Sequence, residues 1–335
     1  MMDQWLKQKK ALWMLAIVFL LWMGSGCDAH SGKEDKGSAS SQKGEASEVI
    51  RIGYQKYGTL NMLKARGNLE KRLKKLGYTV QWSLFPGGPQ LLEAMNAGSL
   101  DFGHTGEAPP VFAQAAGTPL LYVATTPPNP AAEAILVPKN SPIRTIADLK
   151  GKKVALNKGS NVHYLLVQAL EKAGLKLSDI QPVYLPPADA RAAFEQGSVD
   201  AWVIWDPFLA DAEVNGGARI LMDAKGLPKQ YGFIVGRNGY VKQYADVAKT
   251  VIAQLNKVHQ EIHSSPDEAA KLLAKETKIG EEIWKRTLSR RGYGVFPLTK
   301  EVVDAQQRIA DRFYEAGVIP KRVKVEDAVV VIKGQ

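Results

Sequence analysis

From Val49 onward the apolar positions fall into short β-rich runs separated by segments with helical spacing. "VIRIGY" precedes a helical stretch at 60–76, "YTVQWSLF" one at 90–97, and "LDFGH" one at 109–116. A second series, "AILVP", "KKVAL", "QPVYL", "DAWVIW" and "ARILM", is also broken by helix-length segments. Strand-helix alternation of this kind predicts parallel α/β sheets, divided between two sheets rather than gathered in one. Towards the end of the chain, Val247, Val251, Leu255, Val258 and Ile262 form one helical stripe. Ser265 and Pro266 open another helix, and 299–316 forms a third that stops at Gly317. These segments predict a C-terminal helical layer on the first lobe.

One phrase occurs twice. "EAMNAGSLDFGHTGEAP" at 93–109 and "AAFEQGSVDAWVIWDPF" at 192–208 keep register through helix, turn and strand. Gly98 and Gly197, Ser99 and Ser198, Asp101 and Asp200, and Glu107 and Asp206 correspond. Each copy reads as a helix stopped by glycine, a buried strand, and a carboxylate residue at the next helix start, with proline in its first turn. Two similar lobes would place these helix starts at the carboxyl ends of strands, where open α/β sheets bind ligands.

Two further stretches point to the same place. In "FPGGPQLL", Gly87 and Gly88 allow close backbone approach before a helix with proline near its start. In "NKGSNVHYLL", Ser160 and Asn161 are good N-cap residues. Amides at helix starts combine free donors with the positive end of the helix dipole and so seat anions.

The first residues read as an address. Lys7, Lys9 and Lys10 precede 13 apolar residues, "ALWMLAIVFLLWM", and then "GSGC". This is the layout of a secretory signal peptide over 1–26, and the run is shorter than the roughly 20 residues of a spanning helix. Cys27 is the sole cysteine, which excludes a disulfide framework and a cysteine metal site. Residues 28–48 contain no Val, Ile, Leu, Met or aromatic residue and read as a flexible tether of about 25 Å root-mean-square span. The folded part is expected to begin near Val49.

The formal charge of +10 is dispersed. Its one cluster, Lys71, Arg72, Lys74 and Lys75, sits opposite the apolar stripe Leu69, Leu73 and Leu76, so a solvated helix face is expected rather than a nucleic-acid groove. "HQEIH" at 259–263 lacks the metalloprotease spacing and reads as two surface histidines. "GKKVALNKGS" has P-loop residue types in the wrong order, and "GHTGE" is no nucleophile elbow. His104 and His163 are expected to serve packing or ligand contact.

The stretches "RIGYQK", "FPGGPQLLEAMNAGS", "TGEAPPVFAQAAG", "SPIRTIADLKGKKVALNKGS", "PADARAAFEQGSVDAWVIWDPF" and "FYEAGVIPKRV" together resemble the aliphatic sulfonate-binding proteins, the substrate-binding components of sulfonate ABC importers. "GSGC" likewise resembles a lipobox, with Gly24 where a Leu-like residue is usual. The resemblance implies an α/β, two-lobed periplasmic-binding-protein fold of the second type, each lobe a mixed sheet flanked by helices. The chain would cross between lobes near Pro138 and Arg237, giving lobe 1 as 49–137 and 238–335 and lobe 2 as 138–237. It also implies sulfonate contacts from Gln55, Gly87, Gly88, Thr105, Gly106, Glu107, Ser160, Asn161, Trp205 and Asp206. Tyr57, Phe85, Trp202 or Trp205 would cover a carbon tail. Glu107 and Asp206 would either cap their own helices or meet an amine-bearing guest such as taurine. The implied protein is a monomeric, non-enzymatic receptor without cofactor or metal. It would be held at the outer face of the cell membrane by acyl chains, palmitate included, on Cys27, and would serve a membrane permease and, through it, an ATPase subunit. A receptor for taurine, nitrate or another small anion, or an enzyme built on the same two-lobed fold, are the alternatives.

Overall fold

Both copies of the repeated phrase fold alike. The helices Gly88–Asn96 and Pro187–Glu195 end at Gly98 and Gly197, with φ of 73° and 71°, a left-handed turn that glycine adopts without steric cost. Gly98 N–H reaches Met95 O at 3.0 Å and Ser99 N–H reaches Ala94 O at 2.9 Å; Gly197 to Phe194 (3.1 Å) and Ser198 to Ala193 (2.8 Å) repeat the pair. Asp101 then donates its N–H to Arg51 O and accepts the Arg51 N–H on its carboxylate, at 2.8 and 2.9 Å. Asp200 does the same with Lys153, at 2.8 Å for both bonds.

The computed structural model describes residues 48–332. Its ten strands are β1 Glu48–Tyr54, β2 Tyr78–Leu84, β3 Phe102–Thr105, β4 Leu120–Thr126, β5 Glu133–Pro138, β6 Lys153–Leu156, β7 Gln181–Tyr184, β8 Ala201–Trp205, β9 Ala218–Asp223 and β10 Gly232–Arg237. They form two five-stranded sheets of equivalent topology, β2-β1-β3-β10-β4 and β7-β6-β8-β5-β9. In each sheet one strand runs against the rest, β10 in the first and β5 in the second. Both are entered from the other lobe, so the chain arrives at the opposite end of the sheet. The sheets are therefore mixed, where simple alternation predicts parallel ones.

The crossings differ from the expected positions. β5 belongs to the second sheet and β10 to the first, so the chain changes lobes within 127–132 and 224–231, not near Pro138 and Arg237. β4 and β10 do not appear in the strand reading of the sequence. All seven β4 residues are buried, leaving no alternation to read, and β10 contains two glycines. The helical stretch at 60–76 is divided into Thr59–Arg66 and Asn68–Lys74 by Gly67 in the left-handed region, and Leu76 beyond it is exposed.

The C-terminal segments pack mainly on the first sheet. Ala245–Ser264 buries Val247, Val251, Leu255, Val258 and Ile262 in one cluster with Ile50, Ile52 and Leu63. Each such buried side chain contributes about 1.5–3 kcal/mol of transfer free energy. Pro266–Thr277 starts after Ser265, and Lys300–Glu315 is capped by Thr299, whose hydroxyl accepts from Val302 N–H at 3.4 Å. Lys300–Glu315 belongs to a second cluster, with Phe313 among Val111, Tyr122 and Phe233.

Asp101 also ties the first sheet together electrostatically. It is fully buried and takes Arg51 through Nε and Nη2 at 3.0 and 2.9 Å, with Arg237 from β10 at 2.8 Å. Asp101→Ala leaves two guanidinium groups without their shared carboxylate. A loss of about 3 kcal/mol is expected in urea denaturation, and a loss below about 1 kcal/mol would show the cluster to be solvated instead. Among the described residues no helix is long and apolar enough to cross a membrane. The signal segment, Cys27 and nearly all of the tether lie outside the described residues.

Candidate functional site in the cleft between lobes

The carboxyl ends of four strands meet between the sheets. β1 runs into Gln55 and Tyr57, β3 into Gly106 and Glu107, β6 into Asn157, and β8 ends at Trp205. Gln55, Tyr57, His104, Gly106, Glu107, Glu133, Asn161 and Trp205, together with parts of both crossings, line a cavity of about 140 Å³.

The helices Gly88–Asn96, Ala108–Ala115 and Asn161–Lys172 all begin at this junction, and none has a side-chain cap on its first turn. The opening amides of Gly88, Ala108 and Asn161 are thus donors available to a guest, while Pro89, Pro109 and Pro110 carry no N–H. The lobes are in contact around them. A Cβ placed on Gly87 would lie 2.5 Å from Asn157 Nδ2 and 3.6 Å from the Trp205 ring, and one on Gly106 would lie 2.9 Å from Asn161 Cβ. Gln90 and Asn157 face each other across the gap, with Gln90 Nε2 3.3 Å from Asn157 Oδ1.

Of the residues singled out from the sequence, Gln55, Gly106, Glu107, Asn161 and Trp205 line the cavity. Gln55 Nε2 donates to His104 O at 3.0 Å. Gly87, Gly88, Thr105, Ser160 and Asp206 do not line it. Thr105 is fully buried against Gly88, its hydroxyl oxygen without a partner. Ser160 is the N-cap residue of Asn161–Lys172, but its hydroxyl donates to Asn157 O at 2.6 Å. Asp206 accepts Ala210 N–H at 3.0 Å, so it caps its own helix, and Arg290 lies 3.4 Å from the same oxygen. Burial pushes Asp206 up to about 6, against the lowering pull of Arg290 and Arg291.

Among the aromatic residues proposed as tail cover, Tyr57 and Trp205 line the cavity, whereas Phe85 and Trp202 do not. Trp202 is core, packed on Phe194 with ring centroids 6.0 Å apart. Tyr57 stacks on His104 at 5.2 Å and lies beneath the Arg291 guanidinium, 3.7 Å from the ring centre. Burial holds His104 neutral, its pKa lowered to about 3, and lowers His163 to about 4. His259, expected at the surface, is buried beside Tyr293 because it falls on the inner face of Ala245–Ser264; His263 is exposed as expected. Among the described residues no group of His, Cys, Asp and Glu is arranged to hold a metal.

Three contributors escape sequence reasoning. Glu133 opens β5, where a charge before an apolar run reads as a solvated strand end, yet it is 7% exposed and accepts a hydrogen bond from Asn161 Nδ2. Arg290 and Arg291 follow the helix Glu281–Ser289 and read as a basic helix end. Arg290 instead pairs with Asp206 and Glu213 of the second lobe, and Arg291 donates to the carbonyls of Tyr57 and Asp206, joining the two lobes behind the cleft.

Glu107 and Glu133 dominate the electrostatics of the cavity. Glu107 is 3% exposed and its Oε1 has no hydrogen-bond partner. Burial, and secondly the neighbouring Glu133, raise Glu107 well above the usual carboxylate range; burial raises Glu133 to about 7, with Asn161 opposing.

A family model described as NMT1/THI5 like matches residues 83–269. The periplasmic aliphatic sulphonate binding protein SsuA from Escherichia coli is 45% identical, with 84% of this chain and 97% of that one covered and a TM-score of 0.75. The chain belongs to the aliphatic sulfonate-binding family. The alkanesulfonate-binding protein SsuA from Xanthomonas axonopodis pv. citri, solved bound to MOPS, is 43% identical over 85% of this chain and 99% of that one, with a TM-score of 0.81. A taurine-binding periplasmic protein of Escherichia coli (strain K12) is more distant, 27% identical over 58% of this chain and 61% of its own length. Membership in the sulfonate-binding family accounts for the periplasmic-binding-protein fold, and these relatives are binding proteins.

Proposed function

We propose that this protein is the exported substrate-binding component of an ABC importer, which captures aliphatic sulfonates outside the cell and delivers them to a permease for sulfur acquisition. The observation that carries the reading is the meeting of three uncapped helix starts, two from one lobe and one from the other, at a closed cleft in a member of the sulfonate-binding family. Donors of this kind hold a sulfonate without a lysine or arginine ion pair, each charged hydrogen bond contributing about 1.5–3 kcal/mol net. Gln55, Gly106 and Asn161 face the guest, the Gly87-Gly88 turn and Thr105 shape the start of one helix, Ser160 shapes another, and Trp205 with Tyr57 covers the tail. Closure of the lobes by a hinge in the two crossings presents the loaded form to the permease. The receptor acts as a monomer without catalysis, tethered to the membrane by lipid on Cys27 after removal of 1–26. The intact mass of membrane-extracted protein reports that anchor, and an unmodified Cys27 would end it.

Isothermal titration with propane-1-sulfonate, sulfate and nitrate tests the substrate class. Micromolar binding of the sulfonate, about −8 kcal/mol, is expected, with sulfate and nitrate at least about tenfold weaker. Heat from nitrate or sulfate and none from the sulfonate would move the receptor to another anion.

A further inference from the structure

Glu107 and Glu133 come from different lobes, the first from the helix start after β3 and the second from β5, and both line the cavity. Neither carboxylate has a lysine or arginine partner among the described residues: Glu133 is met by the Asn161 amide, and Glu107 Oε1 by nothing. The nearest cations are engaged elsewhere. Arg291 covers Tyr57, Arg290 holds Asp206 and Glu213, and the Lys229 ammonium, at the cavity margin, pairs with Glu301 at 3.2 Å. Closing the lobes thus brings two carboxylates together out of water, where like charges cannot both persist without a proton or a cation between them. A simple alkanesulfonate supplies neither and adds a further negative charge.

We propose that Glu107 and Glu133 form a subsite for a basic nitrogen, so that the preferred guest is a sulfonate carrying an ammonium group at its other end. The inference rests on the sulfonate reading above and divides the guest between two halves of the cavity. The helix starts take the sulfonate, and the carboxylate pair, retaining one proton, presents a single negative charge to the ammonium. The remaining groups around the pair leave this balance in place. Tyr164 interacts with Glu107, Gln306 donates to the Glu107 backbone carbonyl rather than to its carboxylate, and Tyr57, which interacts with both carboxylates, carries the Arg291 guanidinium over its ring.

The test compares 2-aminoethanesulfonate with propane-1-sulfonate, which replaces the ammonium by a methyl group of similar size, by titration calorimetry of the mature chain at pH 7.5. The wild type is expected to bind the amino compound at least about tenfold more tightly, and Glu133→Gln to reduce that ratio below about threefold while still binding propane-1-sulfonate. Glu107→Gln is the second variant should Glu133→Gln fail to fold. Equal affinities in the wild type, or a preference that survives both substitutions, would overturn the subsite and leave the sulfonate reading standing. Absence of heat with both compounds would overturn the subsite and the sulfonate reading together.

Discussion

Gly106→Val is expected to reduce ligand affinity by more than about 100-fold while leaving the unfolding midpoint within a few degrees of the wild type. A Cβ at Gly106 would lie 2.9 Å from Asn161 Cβ, and that neighbour is on the opposite lobe. A contact so short requires one side to shift, and overpacking of this kind costs about 1–3 kcal/mol or more. The cost falls only on the closed arrangement, because the open arrangement separates the two residues. The φ of Gly106 lies outside the left-handed region, so valine is not excluded by the backbone. Closure and binding are linked, so penalising the closed form by that amount lowers apparent affinity directly, and losing the helix-start donors on the far lobe lowers it further. Titration calorimetry and a thermal melt on the same sample check the split. Affinity within about threefold of the wild type would mean that the guest is held without lobe closure.

Arg290→Ala is expected to destabilise the protein by about 3 kcal/mol near pH 7.5, and by clearly less near pH 5. Asp206 is fully buried, accepts only Ala210 N–H and Arg290, and leaves Oδ2 without a partner. Its native pKa is raised by burial to about 6, against an ordinary value near 4. A carboxylate with a raised native pKa favours the folded state at low pH, and that contribution declines as pH rises from about 4 to about 6. Removing Arg290 raises the native pKa further, so the decline continues above 6 in the variant after it has levelled off in the wild type. At pH 5 Asp206 is already mostly protonated and needs Arg290 less. Glu213 keeps Arg286 at 3.2 Å, so it is not stranded by the substitution. Urea denaturation at the two pH values reads the difference, and equal losses at both would remove Asp206 as the cause.

The stability of the Glu107–Glu133 pair follows the same sign. Between about pH 4.5 and 7 the unfolded chain ionises Glu133 while the native protein keeps it protonated, so this group's contribution falls across that window. His104, His163 and His259 act oppositely, since burial keeps them neutral and the native state loses stability as pH drops from 6.5 towards 4.

Much of the scaffold is legible residue by residue. The glycine stops at Gly98 and Gly197, the Ser265-Pro266 helix start and the Thr299 cap all use partners within a few positions or a regular period, and each folds as its pattern indicates. The reading fails where the local pattern is ambiguous. β4 is buried on both faces, β10 is rich in glycine, and both crossings were therefore displaced by the length of one strand. His259 and His263 look alike in "HQEIH", yet one is core and the other exposed, because only the packing of the whole helix assigns the inner face.

By itself the sequence determined two related α/β halves, their turn chemistry, and the helix starts at strand ends, since side-chain period, glycine conformation and capping are properties of a few neighbouring residues. Only the tertiary structure decided that Glu133 faces Glu107, that Arg290 and Arg291 close the back of the cleft, and that Asp206 serves its own helix rather than the cavity wall. Those outcomes depend on desolvation and on charges brought together from positions 26 to 85 residues apart in the chain, and neither quantity exists until the two lobes have folded and met.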